Sequence, residues 1–252
     1  MKILAMDSSG LPASAAILEN GTLLAEYTVN FKMTHSQTLL PMIDTLMQMT
    51  GTRPEELDAL AISGGPGSFT GLRIGAATAK GIGLAWNLPI ISVPTVDALA
   101  WNLYGAAGLV CPMMDARRTQ VYTGLYRFGT DMEVLMEQAP MALEEVISRI
   151  HAAGGPVILL GDGVPVYREL LREKLQVPWQ EAPAHLNRQR AGAVASLAMH
   201  RLCGTPAPGE DLWQIRAPEL LVPAEKHVPE YLRKSQAERE RERKQYYGKI
   251  QC

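Results

Sequence analysis

The residues best suited to chemistry are two aspartates, Asp7 and Asp115, each closing a short apolar run, and the glycine-rich stretch Gly64-Gly65-Pro66-Gly67-Ser68. A carboxylate at a strand end can hold a cation or orient a phosphate, and the N–H groups of a glycine loop entering a helix can receive an anion. Asp7, Gly65, Gly67, Ser68 and Asp115 are therefore the candidate nucleotide or phosphate contacts. The blander reading is that strand-end aspartates form turns and that the loop is a tight structural turn. The specific patterns are missing. A dinucleotide fingerprint begun at Gly65 needs a glycine where Thr70 stands. No P-loop follows, since Lys80 lies deep in the next helix, and Ser68 is flanked by Pro66 and Thr70 rather than by the two glycines of a nucleophile elbow.

Other chemistry is argued against by spacing. The histidines (His35, His151, His185, His200, His227) form no H-x3-H or H-E-x2-H pair. Cys111, Cys203 and Cys252 lie far apart, with neither a C-x-x-C pair nor a disulfide framework. No Ser/His/Asp or Cys/His grouping is legible, so neither a catalytic residue nor a metal ligand is assigned, and a peptidase reading finds no support. The chain has 252 residues, 47% hydrophobic and 20% charged, with net charge −2. This composition predicts a globular chain with a sizeable core and excludes a disordered one. The near-neutral balance disfavours a stand-alone nucleic-acid binder. The apolar run of MKILAMDSSG is too short for a signal peptide, so a cytoplasmic location is expected. Thr70–Trp86 falls short of the ~20 apolar residues of a membrane span and contains Arg73 and Lys80; no membrane association is expected.

The elements that must carry these residues read as a repeated plan. Lys2–Ser9 is a buried strand. Two strand-like runs follow about Asn20-Gly21, a pair suited to a hairpin turn because both residues tolerate positive φ. A helix is expected over Ser36–Thr50, capped by Ser36 or Thr38, with Pro41 near its first turn and Gly51 closing it. Strand Leu57–Ser63, a helix over Thr70–Trp86, strand Ile90–Val93 and a helix from Thr95 complete a βββαβαβα unit. Leu109–Asp115, Gln120–Arg127, Met132–Gln138, helix Ala142–Ala152, strand Val157–Leu160, helix Pro165–Leu175 and helix Arg190–Leu202 repeat the order roughly 100 residues later. The expected domains are 1–107, 108–224 and a charged tail, 225–252. Within that tail, residues 233–249 carry seven Lys and Arg against three Glu.

Two helices look over-supplied with contact surface. At about 100° per residue, the apolar residues of 36–50 cover half the circumference, wider than a single buried stripe needs. In 70–86, Gly71, Gly75, Ala79 and Gly83 recur every four residues. Glycine in a helix costs about 0.8–1 kcal/mol relative to alanine, so such a ridge implies the close approach of another backbone, either internal or from another chain. Leu39, Leu40, Ile43, Met47, Gly71, Arg73, Gly75 and Ala79 are the candidate partner interface.

LAMDSS, HSQTLLPMI, SGGPGSFTGLRIGAATAKGIGLA, MMDARRTQVY and PEYLRKSQAE together resemble the TsaB (YeaZ) family, in order along most of the chain. GPGSFTGLRIG is shared in part with the paralogous TsaD family. The resemblance implies an α/β fold of two ribonuclease-H-like domains, the second degenerate, in the actin/Hsp70/sugar-kinase (ASKHA) superfamily. It further implies a non-catalytic dimerisation subunit that supports TsaD in threonylcarbamoyl transfer to the adenosine beside the tRNA anticodon. TsaE, an ATPase, joins the complex. ATP or ADP and metal are expected in those partner subunits, with none bound by this chain alone. The interface implied is a four-helix one, made by the first two helices of each subunit, also in a homodimer when the chain is alone; tRNA contact is indirect. TsaD-like proteins carry an H-x3-H metal pair where this chain has His35-Ser36-Gln37-Thr38-Leu39, so the pair is broken at Leu39. Gly161-Asp162-Gly163 is the nearest and only a short counterpart to the second glycine-rich segment of TsaD. The alternative is a metal- and nucleotide-dependent acyl- or phosphotransferase on the same fold.

Overall fold

The computed structural model describes residues 1–204 and 213–232. In the first half, β1 (Lys2–Asp7), β2 (Ala13–Glu19) and β3 (Thr22–Val29) form an antiparallel meander. Then come α1 (His35–Thr50), β4 (Ala59–Gly65), α2 (Phe69–Trp86), β5 (Ile90–Pro94) and α3 (Thr95–Trp101). The second half repeats this with β6 (Leu109–Asp115), β7 (Gln120–Phe128), β8 (Met132–Ala142), α4 (Leu143–Ala153), β9 (Val157–Leu160), α5 (Gly163–Lys174), β10 (Trp179–Glu181) and α6 (Ala191–Cys203). The two sheets run β3-β2-β1-β4-β5 and β8-β7-β6-β9-β10, with a last short strand, β11 (Leu221–Val222), added to the first beside β5. In each, the meander is antiparallel and the following strands join in parallel. The expected duplicated unit, two ribonuclease-H-like folds in one chain, is borne out.

Strand alternation explains the layers. Ile3 and Ala5 face a central layer formed by α3 and α6, where Val110, Met114 and Tyr126 of the second sheet meet them. Leu4 and Met6 point the other way, onto Leu39, Met42, Ile43 and Leu46 of α1 and Ala79 and Ile82 of α2. The second sheet buries its far face under α4 and α5. At the hairpin, Asn20 and Gly21 have φ of 46° and 76°, as their side chains allow.

Several details differ from expectation. Thr34, not Ser36 or Thr38, precedes α1, and Pro41 stands within the helix rather than in its first turn. Helix α2 begins at Phe69, with Ser68 as its cap, its hydroxyl accepting from Gly71 N–H at 3.3 Å. β10 and β11, of three and two residues, are too short to carry a periodicity. The tail does not begin at 225. Residues 218–231 return to the first unit, where β11 pairs with β5 and Glu230 N–H donates to Gly64 O at 2.7 Å. The charged run 233–249 lies outside the described residues.

Polar clamps join the halves. Ser14 Oγ and Glu26 Oε1 of the first sheet accept the leading N–H groups of α6 at 2.8 and 3.0 Å, and Arg190 pairs with Glu26. A carboxylate there also complements the helix dipole. Asp97 of α3 accepts from Tyr126 Oη of β7 at 2.6 Å and pairs with Arg201 of α6. Burial, then the Asp97 charge, pushes the Tyr126 phenol well above its usual range. Asp97→Ala should cost about 2–3 kcal/mol, less than a fully buried pair because Arg201 keeps partial exposure. Urea unfolding of the two proteins measures it.

Candidate functional site

The carboxyl ends of β1, β4 and β6 converge on a cleft of about 750 Å³. Its lining brings together Gly67, Ser68 and Asp115 from the expected contacts, joined by Ser9, Asp162, Lys32, Arg117 and the rings of Phe69, Tyr122 and Tyr231. Asp7 and Gly65 are not part of that lining. Asp7 is 1% exposed. Its Oδ1 accepts from Ser9 N–H and Ser9 Oγ at 2.8 and 2.7 Å, and its Oδ2 from Ser63 Oγ. Burial raises its carboxyl from the ordinary aspartate range, and these hydrogen bonds oppose the rise. The side chain ties the end of β1 to β4 and does not line that cleft.

The glycine loop is filled by its own chain. A Cβ at Gly65, where φ is +126°, would stand 2.2 Å from Glu230 O, and one at Gly67 would stand 2.4 Å from Ser9 O. Gly65 N–H donates to Thr95 Oγ1 at 3.2 Å and Ser68 N–H to Ser9 O at 2.7 Å. Gln138 of the second sheet donates from Nε2 to Gly65 O at 3.3 Å. Amides that would cradle an anion thus brace the loop. On the other wall, Asp115 Oδ1 accepts from Tyr167 Oη and Arg117 N–H, each at 2.9 Å, and Asp115 N–H donates to Asp162 Oδ1 at 3.0 Å. Burial raises the Asp162 carboxyl; burial and then Asp115 push the Tyr167 phenol up to about 12. Among the described residues, no histidine or cysteine lines the cleft, and no group of three His, Cys, Asp or Glu is arranged to hold a metal.

The second candidate is the helix pair. Leu39 and Ile43 are buried on the first sheet, and Met47 is half-buried against the same core. Of the eight expected interface residues, only Leu40 and Arg73 are exposed. The glycine ridge turns inward, which corrects the assignment of Gly71, Gly75 and Ala79 to a partner surface. A Cβ at Gly71 would lie 2.0 Å from Ser8 O, one at Gly75 2.4 Å from Ser8 Oγ, and one at Gly83 2.6 Å from the Ala224 Cβ. Ser8 Oγ donates to Gly71 O at 2.9 Å. The approaching backbone is the turn after β1. Ala79 is itself 0% exposed.

The outward faces hold Leu40 and Arg73 together with residues that the spacing missed. On α2 they carry Thr70, Arg73, Ala77, Gly81, Leu84 and Ala85; on α1, Leu40, Pro41, Asp44, Thr45, Gln48 and Met49. Leu40, Met49 and Leu84 are 56%, 82% and 61% exposed, and Phe31 and Met33, just before α1, are exposed as well. The sequence signal was present in apolar residues that lie off the buried stripe. Arg73 lies 4.0 Å over the Phe69 ring, and its Nε donates to Tyr231 Oη at 3.4 Å.

A family model described as TsaD, tRNA N6-adenosine threonylcarbamoyltransferase, matches residues 23–240. The chain is 30% identical over 241 residues to the tRNA threonylcarbamoyladenosine biosynthesis protein TsaB of Bacillus subtilis (strain 168), covering 94% of this chain and 96% of that one. It is 32% identical over 183 residues to the Escherichia coli (strain K12) protein of the same name, covering 69% and 76%. YeaZ from Pseudomonas aeruginosa superposes with a TM-score of 0.70 at 27% identity, covering 91% of this chain and 99% of that chain.

Two glycines separate the inward from the outward face of α2. Gly71→Ala should destabilise the isolated chain by about 1–3 kcal/mol through overpacking on Ser8. A methyl group at Gly81 would meet nothing within 4 Å, so Gly81→Ala should stabilise by up to ~1 kcal/mol. Denaturant midpoints of the two variants give both signs.

Proposed function

The chain belongs to the TsaB (YeaZ) group of the TsaD family, and we propose that it serves tRNA threonylcarbamoyladenosine biosynthesis as a docking subunit for TsaD rather than as the catalyst. The observation that carries this reading is the outward face of α1 and α2. Leu40, Met49 and Leu84, with Phe31 and Met33 beside them, expose large apolar side chains that the chain's own core does not use. Two helices offering such faces side by side can be covered by two more, burying apolar surface at about 25 cal/mol per Å². The same face would pair two copies of the chain when TsaD is absent. TsaE and tRNA join through the assembly, and ATP or ADP and metal belong to the partner subunits.

A non-catalytic role is supported by what has become of the features that would do chemistry. The Asp7 carboxylate is taken up by Ser9 and Ser63, and Ser9 and Glu230 fill the space beside Gly67 and Gly65. The residue that breaks the H-x3-H spacing, Leu39, lies in the core. An acyl- or phosphotransferase would need that carboxylate facing the cleft, and Asp7 is not among the residues that line it.

Met49→Arg and Leu84→Arg change exposed positions, so each should alter stability by no more than about 0.5 kcal/mol. Together they should weaken pairing with TsaD, and self-pairing, by about 2 kcal/mol or more, roughly 30-fold in Kd. Light scattering behind size exclusion and titration calorimetry with purified TsaD measure this. Undiminished pairing of the double variant would remove the helix pair as the docking face.

A further inference from the structure

Residues 218–231 form a strap running along α2 from its carboxyl end to its amino end. β11 adds to the edge of β5. Ala224, buried, sits beneath Gly83. Lys80 Nζ of α2 then donates to Glu225 O at 3.0 Å and His227 O at 3.2 Å. Farther on, Glu230 N–H donates to Gly64 O at 2.7 Å, and the Tyr231 ring lies 4.9 Å from that of Phe69. The strap thus holds both ends of α2 and covers Gly65.

At the middle of this contact lies His227, only 3% exposed, whose buried Nε2 finds no hydrogen-bond partner among the described residues. A neutral imidazole tolerates that position at the cost of one unmade hydrogen bond. An imidazolium would place a second positive charge beside the Lys80 ammonium, with its Nε2–H unpaired. Among the described elements beside it, none supplies a compensating anion: α2 carries only Arg73 and Lys80 as charged residues, and β4 and β5 carry none. The strap's own Glu219, Glu225, Lys226 and Glu230 are all exposed.

We propose that the strap is an acid-released clasp on α2, closed while His227 is neutral and opened when that imidazole takes up a proton. Burial, then the Lys80 charge, lowers the proton affinity of His227 from its ordinary value of 6.5. Because the open state binds the proton more readily, the clasp is complete above about pH 6.5 and is lost as pH falls below it. The clasp itself stands on these contacts alone; its consequence, that acid loosens the helix that docks the partner, rests on the function proposed above.

Hydrogen exchange of the full chain at pH 7.5 and 5.5, corrected for the intrinsic rates, tests it without any partner. Acidification should lower protection of residues 218–231 and of the α2 residues beside them severalfold, with about tenfold the ceiling for one proton and an open-state value of 6.5, and leave β6 unchanged. His227→Gln, which cannot take up the proton, should abolish the difference. Equal protection at both pH values in the wild type, or an undiminished loss in His227→Gln, overturns the proposal. If the glutamine variant is unprotected at both pH values, NMR titration of the wild-type imidazole decides. A midpoint below 6.5, shared by the strap amides, supports the clasp, and one at or above 6.5 overturns it. Failure here leaves the docking face untouched, because pairing of Met49→Arg and Leu84→Arg reads only that face.

Discussion

Helix α2 lies against the turn after β1 at a separation only glycine permits. Side chains at Gly71 and Gly75 would collide with Ser8, and the Ser8 hydroxyl bonds the Gly71 carbonyl in the space they leave. Much follows from this contact. It fixes which face of α2 is inward, so that Thr70, Ala77, Gly81 and Leu84 are left outward. It presses the glycine loop onto Ser9, whose carbonyl takes the Ser68 N–H. Helix glycines cost about 0.8–1 kcal/mol each; the close packing and the shared hydrogen bond offset that cost. The contact also sets Ser9 against Gly67, while Gly67 and Ser68 keep their outer edge on the cleft.

Much of the architecture was legible because it rests on local rules. Ile3 and Ala5 alternate with Leu4 and Met6, and each pair meets a different helical layer. Asn20-Gly21 turns as its side chains allow, and Asp7 and Asp115 close equivalent strands of the two units. What failed to show was which partner answers a local signal. A ridge of small residues announces a close neighbour, but its spacing is the same whether that neighbour is Ser8 or another chain. Asp7 was visible as a strand-end carboxylate; that Ser63, far along the sequence, would absorb its lone pair was not. The strap was hidden for a related reason. Its hold on α2 comes from single residues, Ala224, His227 and Tyr231, in a segment with no period of its own, so its composition read as the start of a charged tail.

Interchange of helices between the units turns a duplicated chain into one body. α6 belongs to the second unit by order, yet its leading amides are taken by Ser14 and Glu26 of the first sheet. Asp97 holds α3, β7 and α6 at one point through Tyr126 and Arg201. Gln138 reaches from β8 to Gly65 O and to the Val96 N–H. Each crossing is a buried or half-buried polar contact that would be left unpaired if the units separated, a loss of about 1–3 kcal/mol apiece. An opening of the cleft by rotation of the units would break several at once. The cleft is therefore braced along its inner wall.

Duplication also supplies an internal control on which surface is free. The outer helices of the two units arise at the same points in the same order, so packing on their own sheets should leave similar outward faces. They differ sharply. α4 and α5 are covered by ion pairs: Arg149 with Glu145, Lys174 with Glu144, Arg168 with Glu181 and Arg172 with Glu169. Exposed pairs of this kind add little stability, commonly about 0–1 kcal/mol, but they keep a face hydrated and unattractive to apolar partners. α1 has Asp44 as its only acidic or basic residue apart from His35, and the two cations of α2 are engaged with Phe69 and with the strap carbonyls. A fold requirement would act on both helix pairs alike. Only the first pair lacks the charged coat, and that difference supports the proposed docking of a second apolar helical surface on it.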